Sequence, residues 1–199
     1  MRIQNPTDIE AYLYTKGAKN KQYDTNLDGK IDVLSILAAE PDGYIEQTDY
    51  DANKKLYAGS TTRCGERLLL KNKVVAGLSF VLGRCGSPTG ALYFRIRRVI
   101  DDSILAEATL LDVSTLATSL TWVDLELNTP VYINEEVRIT VEYDGGDSSN
   151  YINVSYKYAN VVSGGMRTYY SGGAWTDDGA SDMAFKIHYY GNVIIPGGV

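Results

Sequence analysis

The run at 136–143 constrains the fold more than any other segment. Val137, Ile139, Val141 and Tyr143 alternate with Glu136, Arg138, Thr140 and Glu142. A period of two places the first set on one side of an extended chain and the second on the other, which predicts a strand with a dry face and a wet face. The same alternation recurs at 92–99, where Leu92, Phe94 and Ile96 oppose Tyr93, Arg95 and Arg97. It recurs again at 151–157 through Ile152, Val154 and Tyr156, and at 182–190 through Met183, Phe185, Ile187 and Tyr189.

Further strands are expected at 66–71 and 74–84, flanking a tight Lys71-Asn72-Lys73 turn, and at 104–111 and 120–127. The turns between strands carry Gly, Pro, Asp and Asn, as in Gly86-Ser87-Pro88-Thr89-Gly90 and the acidic stretch at 142–150. About eight antiparallel strands with Gly-rich connections predict an all-β jelly-roll sandwich rather than a parallel α/β sheet. A Greek-key immunoglobulin-like sandwich is the alternative. The sandwich is assigned to 50–190. Residues 1–49 read as a loop-rich N-terminal extension with one helix at 31–40 stopped by Pro41, and 191–199 as a C-terminal tail.

Composition narrows the function classes. The 199 residues carry a formal charge of -6, which argues against a polyanionic partner such as nucleic acid. No run of about 18 apolar residues exists, so no membrane insertion is expected. The first ten residues lack the apolar region of a secretory signal, which leaves a removed signal or another route out of the cell, such as a lysis-released virus particle. Sixteen Tyr against three Phe favour half-buried strands and wet binding surfaces. Cys64 and Cys85 are the two cysteines, read either as a disulfide across the expected hairpin or as two inert core thiols.

No catalytic residue is assigned. The chain has no GxSxG elbow, HExxH pair or P-loop, and its sole histidine, His188, falls on the solvent side of an expected strand. For binding, the relevant groups are aromatic, because sugar rings stack their C–H faces on Trp or Tyr. Trp175, in a Gly/Asp-rich stretch read as a loop, is the leading ligand-binding candidate, with Tyr169, Tyr170, Asp177 and Asp178 as sequence neighbours.

Two resemblances add to this reading. The succession of the 86–90 turn, ALYFRIR, SLTWVDLEL, the Pro130-Val131-Tyr132 step, EEVRITVEY, SGGAW and DMAFKIHYY resembles small jelly-roll domains related to carbohydrate-binding modules. These include choice-of-anchor domains and prokaryotic viral structural proteins. The stretch DTNLDGKID at 24–32 resembles a single calcium loop of a dockerin or EF-hand. That resemblance implies Asp24, Asn26, Asp28, Lys30 and Asp32 as metal ligands and calcium as a cofactor, although Ser35 stands at the twelfth position, where those families place an acid.

The resulting expectation is a non-catalytic structural or binding module at a virion surface or otherwise extracellular, partnered by copies of itself or neighbouring structural proteins. The alternative is a carbohydrate-binding or adhesion module of a secreted protein.

Overall fold

In the computed structural model, which describes residues 43–190, the alternating segments pair into one continuous antiparallel system. Its strands are β1 (Gly43–Gln47), β2 (Ala52–Leu56), β3 (Thr61–Cys85), β4 (Leu92–Arg98), β5 (Ile104–Leu110), β6 (Thr121–Glu142), β7 (Tyr151–Lys157), β8 (Met166–Ser171), β9 (Ala174–Asp178), β10 (Asp182–Met183) and β11 (Phe185–Tyr190). The one helical element among the described residues is a single 3₁₀ turn at Val113–Thr115, capped by Asp112. No helix among them is long and apolar enough to cross a membrane.

Two long strands build both layers of the sandwich. The first part of β3 pairs with the last part of β6, from Arg63↔Glu142 to Leu70↔Glu135, and the second part of β3 pairs with the first part of β6, from Lys73↔Ile133 to Leu82↔Thr121. Around the first pairing, β4 and β5 add beyond β6 and β8 and β9 add beyond β3, which gives a layer ordered β5-β4-β6-β3-β8-β9. Around the second pairing, β11 and β1 add beyond β3, and β7 joins the end of β3 while carrying β2 and β10.

This corrects the expected hairpin at 71–73. Asn72 takes a left-handed conformation at φ 53°, and the register skips there, with two residues of β3 facing one of β6. That is a β-bulge, which bends a strand without ending it. The same bending in β6 falls at 127–130, where Pro130 has no N–H to give to a ladder. The expected strands at 66–71 and 74–84 are therefore one strand, and those at 120–127 and 136–143 are another.

The layers meet through the rows the alternation assigned to the interior. Phe80 of one layer packs edge-on against Phe94 of the other with ring centroids 5.0 Å apart. Leu68, Leu78, Leu82, Ile96, Val137, Ile139, Val141, Ile152, Val154 and Ile187 are buried around them. Each such side chain contributes about 1.5–3 kcal/mol on leaving water.

Cys64 and Cys85 lie at opposite ends of the 25-residue β3 and are both free thiols. With the hairpin gone, nothing brings them together, and the core-thiol alternative describes Cys64, whose Sγ lies 3.5 Å from Met183 Sδ. The five residues of the expected calcium loop, Asp24, Asn26, Asp28, Lys30 and Asp32, lie outside the described residues, as do the 31–40 helix and the 191–199 tail.

Candidate functional site

Trp175 is not in a loop. Gly172 and Gly173 form a two-residue turn with φ of 61° and 87° between the paired Ser171 and Ala174. Two successive positive φ values suit glycine and make the primed turn that matches strand twist. Trp175 therefore stands on β9, directly across from Tyr170 of β8.

The ladder sets these residues in a transverse row over the outer face of the first layer: Tyr93, Glu142, Arg63, Tyr170 and Trp175, each paired with the next. The Arg63 guanidinium lies 4.3 Å from the Tyr170 ring centre, Arg95 lies 4.3 Å from that of Tyr93, and Trp175 meets Tyr170 edge-on at 5.3 Å. Beneath this row runs a web of ion pairs. Glu142 accepts from Arg97 at 2.5 Å and from Arg95 at 2.7 Å, with Arg63 at 3.6 Å. Asp177 accepts from Arg67 at 2.6 Å and Arg138 at 3.3 Å, and from the Thr168 hydroxyl at 2.7 Å.

Although these are outward positions, Arg97, Arg138 and Glu142 are buried. Trp175 covers part of the web. The Arg138 guanidinium lies 4.8 Å from its ring centre, and its indole N–H donates to Asp102 Oδ1 at 3.0 Å. Burial alone raises the Glu142 pKa, but the hydrogen bonds from Arg97 and Arg95 outweigh it and hold the group below its ordinary range. Asp177 behaves alike: burial pushes it up, and Thr168 and Arg67 hold it down.

Of the five binding candidates, the structure gathers Trp175, Tyr170 and Asp177 on this face. Tyr169 points to the other side of β8, where Lys54 lies 4.2 Å from its ring centre and the core packs against it. Asp178 pairs with Arg167 at 2.7 Å and accepts from Ser181. Sequence reasoning missed Arg63, Arg67, Asp102 and the burial of Arg97, Arg138 and Glu142. The available signal was the density of Arg and Glu at outward positions of neighbouring strands, without the register that makes them neighbours.

The second layer holds a different constellation. His188 Nε2 lies 2.6 Å from Ser79 Oγ, with Tyr44 edge-on to the imidazole at 4.9 Å. Burial lowers the His188 pKa, against the opposing charges of Asp124 and Glu126. A serine beside a histidine invites comparison with a nucleophile and its base, but acyl transfer also needs free N–H donors aimed at an oxyanion. Ser79 sits mid-strand between Asp124 of β6 and Lys186 of β11, its backbone engaged in the ladders on both sides. Its side chain is fully buried as well.

No group of three or more His, Cys, Asp or Glu among the described residues is placed to hold a metal ion. The chain matches no protein-family model and no curated protein sequence.

Proposed function

We propose that the chain is a non-catalytic structural module that works by association with further copies or with neighbouring structural proteins, at a virion surface or in another extracellular assembly. The observation that supports this reading is the edge strand β5. Among the described residues it pairs with β4 alone, and its other side offers unpaired N–H and C=O groups. Edge strands that must stay single are guarded by Lys, Pro or bulges. The sequence of β5, ILAEATL, has no Lys or Pro, its one bulge, at Leu105, lies at its start and leaves 106–110 in regular pairing with β4, and its one charge, Glu107, is paired inward along the sheet with Arg95 at 3.0 Å. Three apolar side chains flank this edge: Ile100 is 89% exposed, Leu111 81% and Ile104 44%.

The test is the particle mass by light scattering and negative-stain imaging over a range of concentration. Species larger than one chain, reduced by Ile100→Ser with Leu111→Ser, are expected. A monomer at every concentration overturns the reading. Calcium at the 24–32 loop belongs to the same proposal, and calorimetry with Asp28→Ala as control tests it: absence of binding heat removes it.

A second reading, carbohydrate binding, draws support from the row of Tyr93, Tyr170 and Trp175 across one sheet face, where half-buried rings lie on either side of the polar pair Glu142 and Arg63, the mix of rings and polar groups that sugar recognition requires. Titration of intrinsic fluorescence with soluble polysaccharides tests it. Saturable quenching lost in Tyr170→Ala supports it, and no change on titration removes it.

A further inference from the structure

Position 66 belongs to the inward row of β3, between Cys64 and Leu68, and the sequence sets a carboxyl group there among apolar neighbours. Glu66 is fully buried, and so is Asp182 on β10. Glu66 Oε2 accepts from the Met183 backbone N–H at 2.9 Å. Asp182 Oδ2 accepts from the backbone N–H groups of Val161 at 2.5 Å and Val162 at 2.6 Å. The remaining oxygens, Glu66 Oε1 and Asp182 Oδ1, receive no hydrogen bond from any N–H or hydroxyl. Asp182 precedes the Met183 amide that Glu66 holds, and it raises the Glu66 pKa both through its charge and through side-chain hydrogen bonding. Two ionised carboxylates are acceptors only, so that contact exists when one of them carries a proton.

The surrounding charges leave this arrangement intact. Arg167 of β8 is paired with Glu66 in the ladder, yet its guanidinium turns to Asp178 at 2.7 Å and stacks 3.9 Å from the Tyr156 ring centre on β7. Its Nε has no partner. Lys54 of β2 lies over Tyr169. The neighbouring Cys64 thiol is pushed up to about 12 by burial and adds no charge near neutral pH. Burial first, and the Asp182 charge in addition, push the Glu66 carboxyl up to about 9 against the pull of the Met183 amide.

Val161 and Val162 belong to the 158–165 connection between β7 and β8, which lies at the surface with Tyr158 and Val161 exposed. The fit of this connection is close. A Cβ at Gly165 would lie 2.4 Å from Glu66 Oε1, so glycine is what lets the backbone close over the acid pair. On these grounds we infer that Glu66 and Asp182 form a latch held by one shared proton. Loss of that proton releases the 158–165 connection from the sandwich while the sheets stay paired. Two negative charges in a dry interior repel strongly. The more weakly held acid is Asp182, whose strand β10 is two residues long and pairs with β7 alone, while Ser181 and Ala184 on either side stay tied by backbone hydrogen bonds to Arg167 and Ser155. When it swings out, it carries away the carboxylate that holds Val161 and Val162.

An NMR titration of the full chain between pH 5 and 10.5 tests the latch, following the carboxyl carbon of Glu66 and the methyl groups of Val161 and Val162, with core Val137 and Val141 as controls. The expected result is a Glu66 transition several units above ordinary carboxylates, with the Val161 and Val162 methyls moving at the same midpoint and the core methyls fixed. In Glu66→Gln, which keeps a neutral side chain at every pH, the Val161 and Val162 signals should stay in place throughout. Should that variant not fold, the wild-type titration decides alone. Any one of three results overturns the latch: Glu66 titrating with the other carboxylates, the Val161 and Val162 methyls lacking that midpoint or keeping it in Glu66→Gln, or the core methyls moving with them.

Discussion

Trp175 donates its indole N–H to Asp102 Oδ1 over 3.0 Å, and so ties one edge of the outer sheet face to the β4–β5 turn near the other. Asp102 itself adopts a left-handed φ of 58° and also accepts from Arg63 at 2.9 Å. One turn residue thus joins the aromatic lid to the ion-pair web beneath it.

Trp175→Phe keeps most of the ring and removes the N–H. It should cost about 1 kcal/mol, the net worth of one hydrogen bond, or somewhat more for a charged acceptor. Urea unfolding measures this. In a double-mutant cycle with Asp102→Asn, the two losses should be less than additive, since both remove the same contact. Full additivity would show that the contact contributes nothing.

Glu142→Gln leaves Arg97 and Arg95 without their shared carboxylate in a buried setting. Breaking a buried pair from one side costs about 3–5 kcal/mol, so this variant should show the largest loss among the outward positions. The pH dependence follows from the depressed pKa values of Glu142 and Asp177. Their contribution is present above the ordinary carboxylate range and is lost as pH falls through the lower folded values. Unfolding curves between pH 6 and 2 should show stability falling below about pH 4, with a shallower slope in the variant.

Glu66 reverses the sign. Its folded pKa of about 9 stands above the ordinary 4.5, so its contribution is full below about pH 4.5 and declines as pH rises, gone once pH passes the folded value. Denaturation at pH 6, 8 and 10 should show wild-type stability falling, by at most about 1.4 kcal/mol per pH unit from this one group. Glu66→Gln should lose less over the same interval. Equal slopes in the two proteins would count against a protonated Glu66.

The thiols give a simple check on the β3 register. Cys85, partly exposed, should react with an aromatic disulfide reagent in the native protein, whereas Cys64 should react only on unfolding. Reductant should leave the melting temperature unchanged. A bonded pair would show no reactive thiol and a melting temperature that falls on reduction.

The strands at 92–99, 136–143 and 151–157 were legible because side-chain alternation directly reports which face of a strand is dry, whereas the one expected at 182–190 is two, β10 and β11, and a bulge between His188 and Tyr189 buries Tyr190 in place of Tyr189. The bulge at Asn72 was not, since Lys71-Asn72-Lys73 has the chemistry of a hairpin turn and that of a bulge alike. What decides between them is the partner: β6 runs past the bulge and keeps both parts of β3 in one ladder, a fact absent from any local window. At Gly172-Gly173 the opposite holds. A two-residue glycine turn between TYYS and AWTD is a hairpin signal, and reading it as a loose loop is what misplaced Trp175. The web of Arg63, Arg67, Arg97, Arg138 and Glu142 is spread over strands distant in sequence, so only the register brings it together.

The long strands have a consequence for how the chain is made. β3 is synthesised whole before the first residue of β6 exists, and the ladder that buries its Leu and Val side chains is closed only when Glu142 has been added. At about 5–20 residues per second, this interval lasts on the order of seconds. Throughout it the Leu and Val side chains of β3 lack their sheet neighbours, and since β7, β8 and β11 follow later still, the growing chain carries an unshielded apolar strand until its C-terminal part is made.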